Sequence, residues 1–319
     1  MTLVPTLPAH LVATPVLERL TGQRAGVVLG AGTSACWVDL DGFVVAITVR
    51  EVPLLPNAVA LAAGSGTLHR PGAAPGGVAR FAPGRIDLGA LRVTWDPAAP
   101  PAWDPTVREA IQAGPGALAR RGAALLAALA RPGADRRTGL RAVDSRGSAI
   151  LVGELVGELA RIGLPTTTVP DGAAALGRLF RAVCERDPEP AGGAAHGLLG
   201  RGPGLTPEGD DLLAAVAGTL AVLGPAAGWG RSVLTRFLAA LVAPAPERTT
   251  ALSATLLELA TRRQLIESAG RLLDLDPDGE GAWPPALARL ARLGHGSGRA
   301  YAAGIAATTR LLAAGSPVW

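Results

Sequence analysis

Residues 198–224, LLGRGPGLTPEGDDLLAAVAGTLAVLG, divide into a loop and a helix. Gly200, Gly202, Pro203 and Gly204 fall within five positions, a composition that rejects both helix and strand and demands a tight, shaped turn. A helix start follows directly. Thr206 suits the N-cap and Pro207 the first helical position, and Glu208, Asp210 and Asp211 lie in the first turns, where the helix dipole favours acids. Leu212, Leu213, Val216, Leu220 and Leu223 recur at three- and four-residue spacing, so one face of the helix is buried, and Gly224-Pro225 ends it. Ala214, Ala217 and Gly218 favour close approach of another backbone.

A glycine-rich turn entering a helix N-terminus directs backbone N–H groups at one spot, which makes an anion site. The expected binding residues are Gly202, Gly204, Leu205, Thr206 and Gly209. Two adjacent carboxylates stand beside them, and neighbouring helical positions diverge by about 100°, so Asp210 and Asp211 face different surroundings. Carboxylates there serve a metal (Mg²⁺ being the candidate), a bound amide or cation, or hydrogen bonds that lock the loop itself. The plainer reading is a well-capped core helix whose acids only satisfy the dipole.

Near the end of the chain, residues 293–298, LGHGSG, repeat the logic of a glycine-rich turn before a helix. His295 is a candidate to bind substrate or move a proton, and Ser297 to cap the following helix, with a turn histidine of no further role as the alternative. Between the two loops, Thr249 or Thr250 is a good N-cap after Pro244 and Pro246. His196 precedes the first loop and is read either as part of this group or as a solvent-exposed loop histidine.

The remaining composition narrows the function classes. The formal net charge of +4 comes with no lysine, all thirty basic residues being arginine spread along the chain. With aromatics at 3%, stacking platforms and a basic stripe are lacking, so nucleic acid is not expected as a partner. The absence of lysine excludes Schiff-base chemistry and a P-loop lysine. No G-x-S-x-G, H-E-x-x-H or C-x-x-C occurs. Cys36 and Cys184 give neither metal spacing nor a disulfide framework, and no secretory leader or membrane span is evident, so a cytoplasmic location is expected.

The chain changes character once. Residues 25–29, 36–40 and 43–49 read as strands, the last two joined by Asp41-Gly42, a strong hairpin signal. Residues 78–82, 85–88 and 91–95 form a second set, and 57–63 a short strand or helix. The proline-rich DPAAPPAWDP, residues 96–105, marks the boundary. Helical patterns then cover 106–112, 116–129, 149–161, 171–184, 230–242, 249–273 with a possible kink, 284–293 and 298–314, with 131–139 and 164–169 as connections. The expected fold class is α+β: an antiparallel β-rich domain over 1–105 and a mainly helical domain over 106–319 carrying both loops.

The block Gly202-x-Gly204-Leu205-Thr206-Pro207-x-Gly209-Asp210-Asp211 resembles the G-x-G-L-T-P-x-G-D-D signature of a bacterial domain family that includes the AllH-type subunit of oxamate carbamoyltransferase. Thr249-Thr250-x-x-Ser253 and Gly294-His295-x-Ser297-Gly298 resemble that family's second and third blocks in the same order. The resemblance implies a subunit that acts with others, in anaerobic allantoin degradation, to interconvert oxalurate and phosphate with oxamate and carbamoyl phosphate. It points to Asp210, Asp211 and His295 as catalytic candidates, and to Gly202, Gly204, Leu205, Thr206, Gly209, Thr249, Thr250 and Ser297 as substrate contacts. Two other readings stand beside it. One is a Mg²⁺-dependent hydrolase using Asp210 and Asp211, whose paired-acid helix start is similar to that of ADP-ribosyl-glycohydrolase-like proteins. The other is a non-catalytic anion-binding subunit.

Overall fold

The computed structural model describes residues 5–66, 68, 74–110, 113–130, 145–164, 170–275, 282–294 and 296–315. They form two compact units, one running through Thr106 and including Leu265–Glu267, the other made of Val107–Gln264 and the residues from Ser268 onward.

The first unit is a β-barrel. Its strands are β1 (Thr6–Ala13), β2 (Arg24–Ala31), β3 (Ala35–Leu40), β4 (Phe43–Thr48), β5 (Ala58–Leu61), β6 (Val78–Ala82), β7 (Arg85–Leu88) and β8 (Leu91–Thr94), with a one-turn helix α1 (Thr14–Leu17) after β1. The order β5-β4-β3-β2-β6-β7-β8-β1 closes on itself because β1 also pairs with β5, and β9 (Ala102–Trp103) adds to β1 outside the ring. Closure removes the exposed edges that an open sheet of this size would carry. Neighbours are mostly antiparallel, but β1–β8 and β4–β5 run parallel. The β3–β4 hairpin turns on Asp41 (φ 53°) and Gly42 (φ 83°), both in the positive-φ region that a type I′ turn requires, with Leu40 opposite Phe43. Cys36 lies fully buried on β3, and burial pushes its thiol up to about 11, far from thiolate chemistry.

The second unit is helical: α2 (Pro115–Leu129), α3 (Ser145–Ile162), α4 (Pro170–Glu185), α5 (Pro188–Leu198), α6 (Glu208–Leu223), α7 (Arg231–Val242), α8 (Ala245–Arg248), α9 (Ala251–Thr261), α10 (Glu267–Leu273), α11 (Trp283–Leu290) and α12 (Ser297–Gly315). All sixteen residues of α6 are buried, not one face of it, so the helix is the axis of the unit. Along α6 lies α12, which also packs on α2. At Gly304 of α12 a β-carbon would fall 2.7 Å from the Ala215 β-carbon and 3.0 Å from the Leu212 carbonyl, so the two backbones meet where neither has room for a larger side chain.

With lysine absent, arginine forks satisfy the carbonyls that helix ends leave open. Arg299 Nη2 donates to the carbonyls of Leu129 at 3.3 Å and Ile162 at 3.2 Å, closing α2 and α3 together. Arg186 donates to the carbonyls of Gly228, Ala227 and Gly315.

Several sequence expectations change here. Residues 106–110, expected to be helical, are not. Their backbone is held instead by distant strands of chain, Val107 N–H donating to Arg263 O at 2.8 Å and Ala110 N–H to Val222 O at 3.0 Å. The segment 249–273 is two helices, separated at Arg263, whose φ of 63° is incompatible with a continuous helix. Residues 188–198, assigned no element from the sequence, form α5, started by the Asp187 side chain accepting from Glu189 N–H. His196 is an exposed residue of its last turn, not a loop residue. The connections at 131–139 and 165–169 lie outside the described residues. Among the described residues no helix is long and apolar enough to cross a membrane.

Candidate functional site

The glycine-rich loop joins α5 to α6 and is shaped by positive φ at Gly200, Gly202 and Gly204. At Gly202, with φ at 117°, a β-carbon would also stand 2.8 Å from the Glu208 nitrogen, so only glycine fits. The cap differs from the expectation by one residue. Pro207, not Thr206, is the N-cap of α6, and the Thr206 hydroxyl is turned to another partner.

Three connections hold the loop from the α8–α9 junction. Gly200 runs so close to Arg248 that a β-carbon there would lie 2.5 Å from the Arg248 carbonyl. The Thr250 hydroxyl accepts from Ser253 N–H at 3.1 Å, capping α9, and donates to the Leu205 carbonyl at 2.6 Å. Asp210, from the first turn of α6, completes the lacing. Its Oδ1 accepts the Gly200 N–H at 2.8 Å and its Oδ2 accepts the Thr249 hydroxyl. Burial raises the Asp210 carboxyl above the usual range, and the hydrogen bonds from the Thr249 hydroxyl and the Gly200 N–H, with the Ser253 hydroxyl nearby, oppose that rise. Of the roles open to this residue in the sequence, locking the loop is the one its contacts describe.

The third block arrives from α12. Thr206 Oγ1 and Ser297 Oγ are 3.0 Å apart, so the turn before α12 touches the loop before α6. The two turns are built alike. A β-carbon on Gly209 would sit 2.1 Å from the Leu198 carbonyl that ends α5, and one on Gly298 would sit 1.7 Å from the Leu290 carbonyl that ends α11. Each glycine N–H donates to the carbonyl three residues past that helix-ending one, Gly209 to Arg201 at 2.9 Å and Gly298 to Leu293 at 3.0 Å. In both places a new helix starts against the end of the preceding one, and glycine is the residue that lets it. Gly209 therefore has a packing reason to be glycine. His295 lies outside the described residues.

Asp211 is the opposite of its neighbour. It is 7% exposed, and its Oδ2 is buried with no hydrogen-bond partner. Burial pushes its carboxyl well above the usual range; the nearby Ser297 hydroxyl pulls the other way, and the charges of Asp210 and Glu208 push it further up. Tyr301 of α12, itself buried, is raised first by burial and then by the Asp211 charge.

What the loop leaves free is on its outer side. Residues 202–205 are exposed, Leu205 by 43%, and among the described residues no acceptor reaches the N–H groups of Gly202, Gly204, Leu205 or Thr206. Unpaired amides at the N-terminus of a buried helix favour an anion. A metal finds less support, since among the described residues no three His, Cys, Asp or Glu side chains group to hold one, and both Asp210 oxygens are taken by protein donors.

Every one of these contacts falls between Leu198 and Thr309. Residues 198–309 match the family model of the oxamate carbamoyltransferase subunit AllH. The AllH match covers about a third of the chain and begins at the last residue of α5, so it takes in the loop, the α8–α9 junction and the turn before α12 together. Neither a curated protein nor a solved structure matches the chain. The first of the three blocks that the sequence associates with this family is thus in contact with each of the other two, His295 lying outside the described residues.

Proposed function

We propose that this chain acts as a subunit of a carbamoyltransferase of the oxamate carbamoyltransferase type and that the loop between α5 and α6 holds an anionic group of its substrates. The ligands are phosphate or carbamoyl phosphate and the carboxylate of oxamate or oxalurate. The observation that carries this reading is the set of unpaired amides at Gly202, Gly204, Leu205 and Thr206 on a loop otherwise tied down by Asp210 and Thr250. A rigid loop with free donors meets an anion without reorganising, which is what stabilises developing charge in acyl-type transfer. The match of residues 198–309 to AllH supports carbamoyl transfer as the chemistry.

Proximity of two acids to an anion calls for an explanation, and the surroundings of each supply one. Asp210 spends its charge on Gly200 and Thr249, while Asp211 is driven towards its neutral form. Neither then presents a free negative charge to the ligand.

Calorimetric titration of the chain with phosphate, carbamoyl phosphate and oxamate, alone and with the subunits that complete the enzyme, tests the reading. Saturable binding of at least one of these anions, weakened by Thr206→Ala, is expected. Heats indistinguishable from dilution for all three in the complete assembly would refute it.

A further inference from the structure

Asp211 is a buried acid to which the loop's own hydrogen bonds assign no task. Asp210 beside it is held on both oxygens, whereas Asp211 Oδ2 has no partner. Among the described residues, the titratable groups that face it are Asp210 and Glu208 on its own helix and Tyr301 on α12, and none of these is a cation. A carboxylate whose Oδ2 meets no donor is disfavoured in such a place while a carboxylic acid is tolerated, so burial favours the protonated form. Two hydroxyls stand between this acid and the exposed loop. Ser297 is near enough to influence Asp211 and lies 3.0 Å from Thr206 Oγ1, and Thr206 is the inner end of the exposed loop.

We propose that Asp211 is the proton-exchanging group of this site, connected to a ligand on the loop through the hydroxyls of Ser297 and Thr206. The assignment rests on the reading of the loop as a carbamoyl-transfer site. In the phosphate-consuming direction, a phosphate oxygen bonds to the carbamoyl carbon as the bond from that carbon to the amide nitrogen breaks. The nitrogen leaves with the bonding pair and takes a proton from Thr206, which is replenished by Ser297 and that in turn by Asp211. The proton lost by the attacking phosphate returns to Asp211 by the same hydroxyls, so none is gained or lost over a turnover. In the opposite direction the amide nitrogen attacks and the proton moves the other way.

Carbon-13 NMR of the full chain labelled at aspartate Cγ follows this proton directly. One resonance, absent in Asp211→Asn, is expected to titrate above the ordinary carboxylate range, to move higher in Ser297→Ala, and to shift when inorganic phosphate saturates the loop. An Asp211 that titrates with ordinary carboxylates overturns the proposal. Phosphate binding that leaves the Asp211 resonance unmoved removes the relay alone; no binding of phosphate, carbamoyl phosphate or oxamate in the complete assembly removes the loop reading and the relay with it. In the assembled enzyme, Asp211→Asn is expected to lower turnover by about 100-fold or more while phosphate affinity stays within about threefold. Turnover retained in that variant contradicts the assignment.

Discussion

The backbone N–H of Gly200 donates to Asp210 Oδ1 at 2.8 Å, so the glycine-rich loop is closed by a side chain from the helix it precedes. The other Asp210 oxygen takes the Thr249 hydroxyl, which ties the same loop to the α8–α9 junction. One buried carboxylate thereby fixes two blocks that lie far apart in the sequence.

Asp210→Ala removes both acceptors and strands two donors. The chain is expected to lose about 1–3 kcal/mol of stability, measurable as a lowered denaturant midpoint, with faster hydrogen exchange at Gly200. An unchanged midpoint together with unchanged Gly200 exchange would show that the lock is not needed.

Gly209 and Gly298 each abut a helix-ending carbonyl, whereas Gly296, in the turn before α12, has nothing within 4 Å of a β-carbon. Gly209→Ala and Gly298→Ala are therefore expected to cost about 1–3 kcal/mol or more, and Gly296→Ala to stay within about 0.5 kcal/mol of the parent. Thermal melting of the three variants side by side checks this. Equal melting of all three would place the constraint elsewhere.

Asp211 sets a sign for pH. Its folded-state pKa lies above its unfolded value, so the folded chain binds the extra proton, and the stability that this proton contributes is complete below the ordinary carboxylate pKa. It is lost as pH rises from there through the raised folded value. Asp211→Asn, neutral at every pH, is expected to be less sensitive to pH across that window and more stable than the parent at its alkaline end. Denaturant melts at a series of pH values report both, and identical slopes for variant and parent would contradict the raised, buried acid. A residue that costs stability in this way fits a site under functional demand.

Much of this arrangement is visible in the sequence, for identifiable reasons. Asp41-Gly42 names its own turn because both residues must take positive φ, and the leucine spacing of α6 and the small residues around Gly218 announce a buried helix. The barrel's closure is not visible. It depends on β1, whose TLPAHLVA carries a proline and makes a parallel pair with β8 and an antiparallel one with β5, so no local alternation reveals both neighbours. Similarly, α5 hides behind two prolines and three glycines, and residues 106–110 look helical because their extended path is imposed by Arg263 and Val222 far along the chain. At the site, Thr206 has the chemistry of an N-cap, but Pro207 already occupies that position, and the freed hydroxyl goes to Ser297. That pairing of Thr206 with Ser297 crosses ninety-one positions and leaves no periodic trace. The contrast between Asp210 and Asp211 is equally silent in the sequence, since it arises from which of two adjacent carboxyls meets donors.

Nitrogen-15 amide spectra of the full chain during titration with inorganic phosphate test the central claim most directly. Saturable shifts concentrated at Gly202, Gly204, Leu205 and Thr206 are the expected result. Saturation of binding with those four amides unmoved, or with the shifts gathered elsewhere in the chain, would contradict it.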